Sequence, residues 1–270
     1  MDGRPAADRD VVAQAAARGL LAAQGVVHIP AFIAADAARA LHAAIATALD
    51  DVPSSDYGLL LNDTWRRVPA LESWLRGGPL GPLLTALYGA PLLLFQDNLV
   101  WKRPGTGSAI EWHQDYSYWP LDRPGGLTAW LALDDADVDS GALIYAPGTH
   151  VLGECEPADF ISGSGQPTRD DLPPLDLAAA DRIATAQPVR AGDLLVHHPL
   201  VLHRSGPNPT RRERMGLSLT AIDADVRWDT AHAPHPFALS LRPDDGVRVS
   251  ADPHFLRLLA SGGAEGSPRF

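Results

Sequence analysis

The chain has 270 residues, of which 46% are hydrophobic and 20% charged, and it carries a net charge of −11. This is the profile of an ordinary globular protein able to bury a substantial core, and its acidity argues against a general nucleic-acid binder, whose basic face must meet phosphates. A single cysteine, Cys155, excludes an intramolecular disulfide, which suits a reducing cytoplasm.

The opening MDGRPAADRD is charged, and no apolar leader segment follows it. No run approaches the roughly 18 apolar residues of a membrane span, so a cytoplasmic protein without membrane contact is expected. Residues 9–24 are alanine-rich and predict a helix. VVHIP at 26–30 predicts a short strand closed by Pro30. From 34 to 50, Leu41, Ile45 and Leu49 recur at spacing four and give one apolar helical face. Residues 68–89 predict two short helices split by Gly77-Gly78-Pro79. After Pro91 come short strand-like runs at 92–101, 109–116, 127–134, 142–147, 194–203 and 214–222. Leu127, Ala129, Leu131 and Leu133 share one parity, as do Met215, Leu217, Leu219 and Ala221. Many short strands behind a helical N-terminal part predict a β-sandwich or barrel with helices on one outer face. The polar stretch 153–182 reads as a long insertion. The expected organisation is one domain over 1–270, helical to about residue 90, with a strand core over about 91–223.

His113-Gln114-Asp115 lies in one of the strand-like runs. Residues i and i+2 of a strand share a face, so His113 and Asp115 could grip one metal. With a distant second histidine they would form the two-histidine, one-carboxylate triad, which leaves open positions on iron for small ligands. The pair alone is equally a half-buried histidine bonded to an acid. Further along, Gly192-Asp193 opens an apolar run ending in His203-Arg204-Ser205-Gly206-Pro207-Asn208, and Arg214 follows. His203 is the candidate distal ligand, with Ser205 on its face by parity. His197 and His198 are rivals, better read as structural or supporting histidines.

In order and spacing, these motifs resemble the phytanoyl-CoA dioxygenase family of iron and 2-oxoglutarate enzymes. The resemblance rests on Gly25-Val26-Val27-His28-Ile29-Pro30, Trp101-Lys102-Arg103-Pro104-Gly105, Trp112-His113-Gln114-Asp115, Pro147-Gly148-Thr149-His150 and the block from Gly192-Asp193 to Arg214. It implies a mainly β fold with N-terminal helices and a double-stranded β-helix core, jelly-roll and cupin-like. It implies Fe(II) on His113, Asp115 and His203, with 2-oxoglutarate as cosubstrate and O2 as co-reactant. Arg214 would take the distal carboxylate of 2-oxoglutarate through a guanidinium fork, with Ser205 adding a hydroxyl. Asn98 and Trp130 would line the cosubstrate pocket, though Trp130 is equally a core residue. Gln96, Trp119 and Tyr116 are candidates for substrate contact, the two aromatics being equally core. Arg211 and Arg212 read as solvated turn charges, and Lys102, the only lysine, as a surface or rim residue. The implied reaction is oxidation of a C–H of a small-molecule metabolite, possibly one of specialised metabolism, with hydroxylation expected and desaturation, epimerisation or cyclisation as alternatives. Related halogenases lack the metal carboxylate, so Asp115 argues against halogenation. No obligate protein partner is evident. Two rivals share these residues: a zinc metallohydrolase on the same triad and a non-catalytic β-helix binding protein. Succinate formed from 2-oxoglutarate would separate them from the oxygenase.

Overall fold

The computed structural model describes residues 6–52, 59–105, 109–157, 169–233 and 244–258. Among the described residues, four α-helices lie in the first third: α1 (Ala6–Gln24), α2 (Ala35–Ala48), α3 (Pro69–Gly77) and α4 (Leu80–Tyr88). Glycine or proline bounds three of them. Gly25 takes a positive φ of 76° where α1 turns into β1 (Val26–Ile29). Pro69 opens α3, where the missing N–H costs nothing. Gly89 closes α4 in the left-handed conformation. In α2 the apolar stripe is buried as its spacing predicts, with Leu41 6%, Ile45 0% and Leu49, at its C-cap, 1% exposed.

The remaining strands are β2 (Leu59–Asn62), β3 (Leu92–Lys102), β4 (Ile110–His113), β5 (Gly126–Ala132), β6 (Leu143–Tyr145), β7 (Thr185–Gln187), β8 (Leu194–His197), β9 (His203–Ser205), β10 (Arg214–Asp223) and β11 (Leu256–Leu258), with α5 (Leu177–Ile183) before β7. Among the described residues they form two antiparallel sheets. The larger runs β1-β8-β5-β10-β3-β11, with β2 also on β3; the smaller runs β4-β9-β6-β7. This is the jelly-roll, double-stranded β-helix core that was expected.

The main core fills the space between helices and the larger sheet. It contains Leu127, Ala129, Leu131 and Leu133, then Met215, Leu217, Leu219 and Ala221, against Leu41, Ile45, Leu71 and Leu84. The alternate residues face the smaller sheet. There Trp130, Ala132 and Leu195 meet Leu143, Tyr145 and Val201. A third cluster gathers Phe95, Tyr116, Trp119 and Leu200 with Trp228 and Phe255 from the C-terminal segment.

Three elements differ from the sequence reading. The run 194–203 is two strands in different sheets, with Pro199 in the crossing between them. The chain turns there through Val201 N–H to His198 O at 3.0 Å. The larger sheet takes in β1, expected as a strand, and adds two strands that were not expected, β2 from the helical part and β11 from beyond residue 223. Finally, the 153–182 stretch ends in α5, while residues 158–168 of it, including Ser162-Gly163-Ser164-Gly165, lie outside the described residues.

Candidate metal centre and anion pocket

His113 ends β4, and His203 is its register partner at the start of β9. Asp115 is already outside the strand, with φ −62° and ψ −41°, at the head of a 3-10 turn over Tyr116–Tyr118. It meets the histidines because the chain turns, and strand alternation plays no part. His113 Nε2 and His203 Nε2 lie 3.7 and 3.5 Å from Asp115 Oδ1. Each histidine directs its Nδ1 at a backbone carbonyl, Glu111 O at 2.8 Å and Val201 O at 3.1 Å. Both Nδ1 atoms therefore carry the hydrogen, and both Nε2 lone pairs converge beside Asp115 Oδ1.

The electrostatics favour a cation at that point. Burial holds His113 below the usual histidine range and His203 well below it, so both imidazoles stay neutral. Burial alone would raise Asp115, but His203, His197 and His113 outweigh it and hold the carboxyl well below the usual range. Two neutral imidazoles and one carboxylate, all within ligand reach of one another, fit a divalent transition-metal ion. The rival His197 sits on β8, in the opposite sheet, where its Nε2 bonds Asp115 Oδ2 at 3.0 Å.

The second feature is a pair of buried cations. Arg214, 1% exposed, lies with its guanidinium 4.7 Å above the Trp130 ring. Its Nε and Nη1 have no hydrogen-bond partner in the protein. Burial pushes it down only to about 10, so it remains charged near neutral pH. Lys102 pairs with Arg214 across β3 and β10 and is fully buried, which corrects the expectation of a surface or rim residue. Its Nζ donates to Ser205 Oγ at 3.0 Å. Burial and then Arg214 push this amine down to about 7. A buried guanidinium beside a buried amine, without a carboxylate between them, is costly, which marks the space beside them as a place for an anion. Ser205 is two residues from His203, about 7 Å along β9 at strand rise.

The other candidates lie on β3, on β5 and at the 3-10 turn after Asp115. Asn98, Ser218, Trp130 and Leu195 form one cross-strand row. Gln96, Thr220, Thr128 and His197 form the next, and Thr128 Oγ1 bonds Asp115 Oδ2 at 2.6 Å. Trp119 and Tyr116 are packed in the third core cluster, with the Tyr116 hydroxyl on Leu121 O at 2.9 Å. Tyr118 stands beside the metal donors, its ring 6.3 Å from that of His113. Gln114, between the two ligand positions, donates to Gly153 O and Leu200 O and accepts from Cys155 N. His232 stacks on Tyr116 at 4.3 Å and bonds Glu154 at 3.0 Å, joining the start of the insertion to the C-terminal segment.

Gly216 shows how tightly the pocket floor is built. A Cβ there would stand 1.9 Å from Trp130 Cζ2. Gly216→Ala must displace the ring that carries Arg214, and the expected cost is about 1–3 kcal/mol. Denaturant unfolding reads the loss.

A jelly-roll core carrying two histidines and a carboxylate beside a buried arginine–lysine pair defines a class: cupin-like folds with a candidate set of metal donors. The family model for phytanoyl-CoA dioxygenase matches residues 79–216, about half of the chain, and the chain belongs to that family. Phytanoyl-CoA dioxygenase 1 of Oryza sativa subsp. japonica is 30% identical over 165 residues, covering 58% of this chain and 54% of the relative. A probable alpha-ketoglutarate-dependent hypophosphite dioxygenase of Stutzerimonas stutzeri is 28% identical over 162 residues, covering 57% and 54%. The chain thus spans about half the length of these curated relatives. In fold it is similar to the carbocyclase SnoK from nogalamycin biosynthesis (TM-score 0.72, 24% identity, 90% of this chain and 95% of that one). It is also similar to the epimerase SnoN from the same biosynthesis (TM-score 0.74, 20% identity, 92% and 99%).

Proposed function

We propose that this protein is an Fe(II)- and 2-oxoglutarate-dependent oxygenase acting on a C–H of a small molecule. The observation that carries the reading is the unpartnered Arg214 guanidinium, buried with Lys102 and Ser205 a short strand-length from three converged metal donors. A dicarboxylate with a keto group at one end answers both halves of that arrangement. His113, Asp115 and His203 would hold the metal. Arg214, Lys102 and Ser205 would hold the distal carboxylate, with Trp130 and Asn98 as the wall. Iron with 2-oxoglutarate and O2 would supply the oxidising power for C–H cleavage, the cosubstrate leaving as succinate and CO2.

The chain's own residues bind, orient and shield. Arg214 fixes one end of the cosubstrate through a charge-assisted fork. The two neutral imidazoles and Asp115 leave the ion's remaining positions to small ligands. Gln96 and Tyr118 are assigned to the substrate side, with Trp119 and Tyr116 supporting that wall from behind. The fold relatives include a carbocyclase and an epimerase, so hydroxylation, ring closure and epimerisation are the outcomes to screen first. Specialised metabolism is the proposed setting. Among the described residues no helix is long and apolar enough to cross a membrane, and a cytoplasmic site of action is part of the proposal. The zinc hydrolase reading leaves the Arg214–Lys102 pair without a use, and turnover of 2-oxoglutarate separates the oxygenase from the binding-protein reading. The test is succinate release from 2-oxoglutarate in air with Fe(II). Release that needs iron supports the oxygenase; none, with iron bound and candidate substrates present, refutes it.

Lys102 gives the proposal a pH dependence. Burial and then Arg214 push its amine down to about 7 when no anion is bound. A carboxylate set against it favours the ammonium and raises that value. Binding of 2-oxoglutarate then takes up a proton, little well below pH 7 and approaching one above it. Affinity therefore falls as pH rises from about 7 towards the raised value, by up to about tenfold per pH unit. Calorimetry in buffers of different ionisation enthalpy counts the proton, and Lys102→Met removes the uptake.

A further inference from the structure

The two oxygens of Asp115 are treated differently. Oδ2 accepts from the Thr128 hydroxyl at 2.6 Å and from His197 Nε2 at 3.0 Å, whereas Oδ1 faces His203 and His113. A carboxylate can only accept, so His197 Nε2 carries the hydrogen. Nδ1 of the same ring is then the acceptor for the Tyr145 hydroxyl, 3.0 Å away. His197 is 2% and Tyr145 0% exposed, which keeps the chain of hydrogen bonds out of solvent. The Tyr145 ring also stacks on His203, at 5.7 Å between centroids and 25° between planes. One phenol therefore backs a metal donor on β9 and braces a histidine on β8 through its Nδ1.

We propose that His197, its tautomer set by Asp115 and its ring braced by Tyr145, is a positioning residue: with Thr128 it occupies Asp115 Oδ2 and so presents Oδ1 alone to the metal. The proposal rests on the reading of His113, Asp115 and His203 as the ligand set. Its consequence is specific. A carboxylate free at both oxygens can chelate an ion through both. That would take a coordination position which a two-point ligand such as 2-oxoglutarate needs. Partners of this kind, one bond removed from a metal, commonly change metal affinity by about 10–100-fold.

The test uses Co(II) as the probe, titrated calorimetrically into metal-free protein, with the visible absorption of bound Co(II) as a second readout. His197→Gln keeps an amide N–H at the reach of Nε2, whereas His197→Asn falls one bond short of Asp115. The expected result is Co(II) binding about 10–100-fold weaker in His197→Asn, with an altered cobalt spectrum. His197→Gln recovers most of the loss, and Tyr145→Phe weakens binding to a smaller extent. Thermal melting checks that each variant is folded. Wild-type affinity and spectrum in His197→Asn would overturn the proposal. So would equal losses in folded His197→Asn and His197→Gln, which would point to packing. Should His197→Asn not fold, Tyr145→Phe decides, and unchanged binding there overturns the proposal. Failure of the ligand set is seen separately, as His113→Ala binding Co(II) like wild type. Failure of the cosubstrate reading is seen as a wild-type Co(II) spectrum that 2-oxoglutarate does not change.

Discussion

Arg214→Leu lowers the affinity for 2-oxoglutarate by about 30-fold to more than 1,000-fold, because removing one partner of a buried, hydrogen-bonded charge pair costs about 2–5 kcal/mol. The same substitution leaves the metal-free, cosubstrate-free protein as stable as wild type or more so. The guanidinium is 1% exposed and its Nε and Nη1 find no partner in the protein. Replacing an uncompensated buried charge by an apolar side chain is commonly neutral or stabilising. Opposite signs in binding and stability are what separate an arginine kept for a ligand from one kept for the fold. Calorimetric titration of 2-oxoglutarate and a denaturant midpoint on the same preparations read both. A loss of stability matching the loss of binding would mean that Arg214 holds the sheets together.

His203→Ala has the complementary effect. It weakens divalent-metal binding by at least about 100-fold, more than loss of a supporting partner, and abolishes iron-dependent succinate formation. His203 is 5% exposed, with Nδ1 committed to Val201 O and Nε2 turned to Asp115 Oδ1. No other described histidine is placed to replace it, since Nε2 of His197 is engaged by Asp115 Oδ2. Chelator competition with Co(II) separates the two variants: Arg214→Leu keeps the metal and loses the cosubstrate, and His203→Ala loses the metal first.

Much of this site was legible in the sequence, for reasons that can be named. Parity placed His203 and Ser205 on one face of β9, and the alternating leucines of β5 and β10 announced the buried outer face of the larger sheet. The same parity carried Gln96 and Asn98 on to Lys102, but a lone lysine in an arginine-rich chain reads as surface until its cross-strand neighbour Arg214 is known. The strands β2, β7 and β11 are three or four residues long, and such segments form only because a distant strand is there to pair with. Pro199 was the available sign that 194–203 is two strands, since a proline cannot donate within a ladder. Trp119 and Tyr116 sit beside the metal motif in sequence. Their burial depends on Trp228, Phe255 and His232, more than a hundred residues away, which local pattern cannot reveal.

In the proposed enzyme, His113, Asp115 and His203 hold a metal, and a keto diacid spans from that metal to Arg214. Visible absorption of the protein under anaerobic conditions, with Fe(II) and 2-oxoglutarate added in turn, tests this most directly. A charge-transfer band is predicted that needs both additions, is absent in His113→Ala and His203→Ala, and needs far higher 2-oxoglutarate in Arg214→Leu. Iron bound at one equivalent with no band on adding 2-oxoglutarate, or a band indifferent to Arg214, would contradict it.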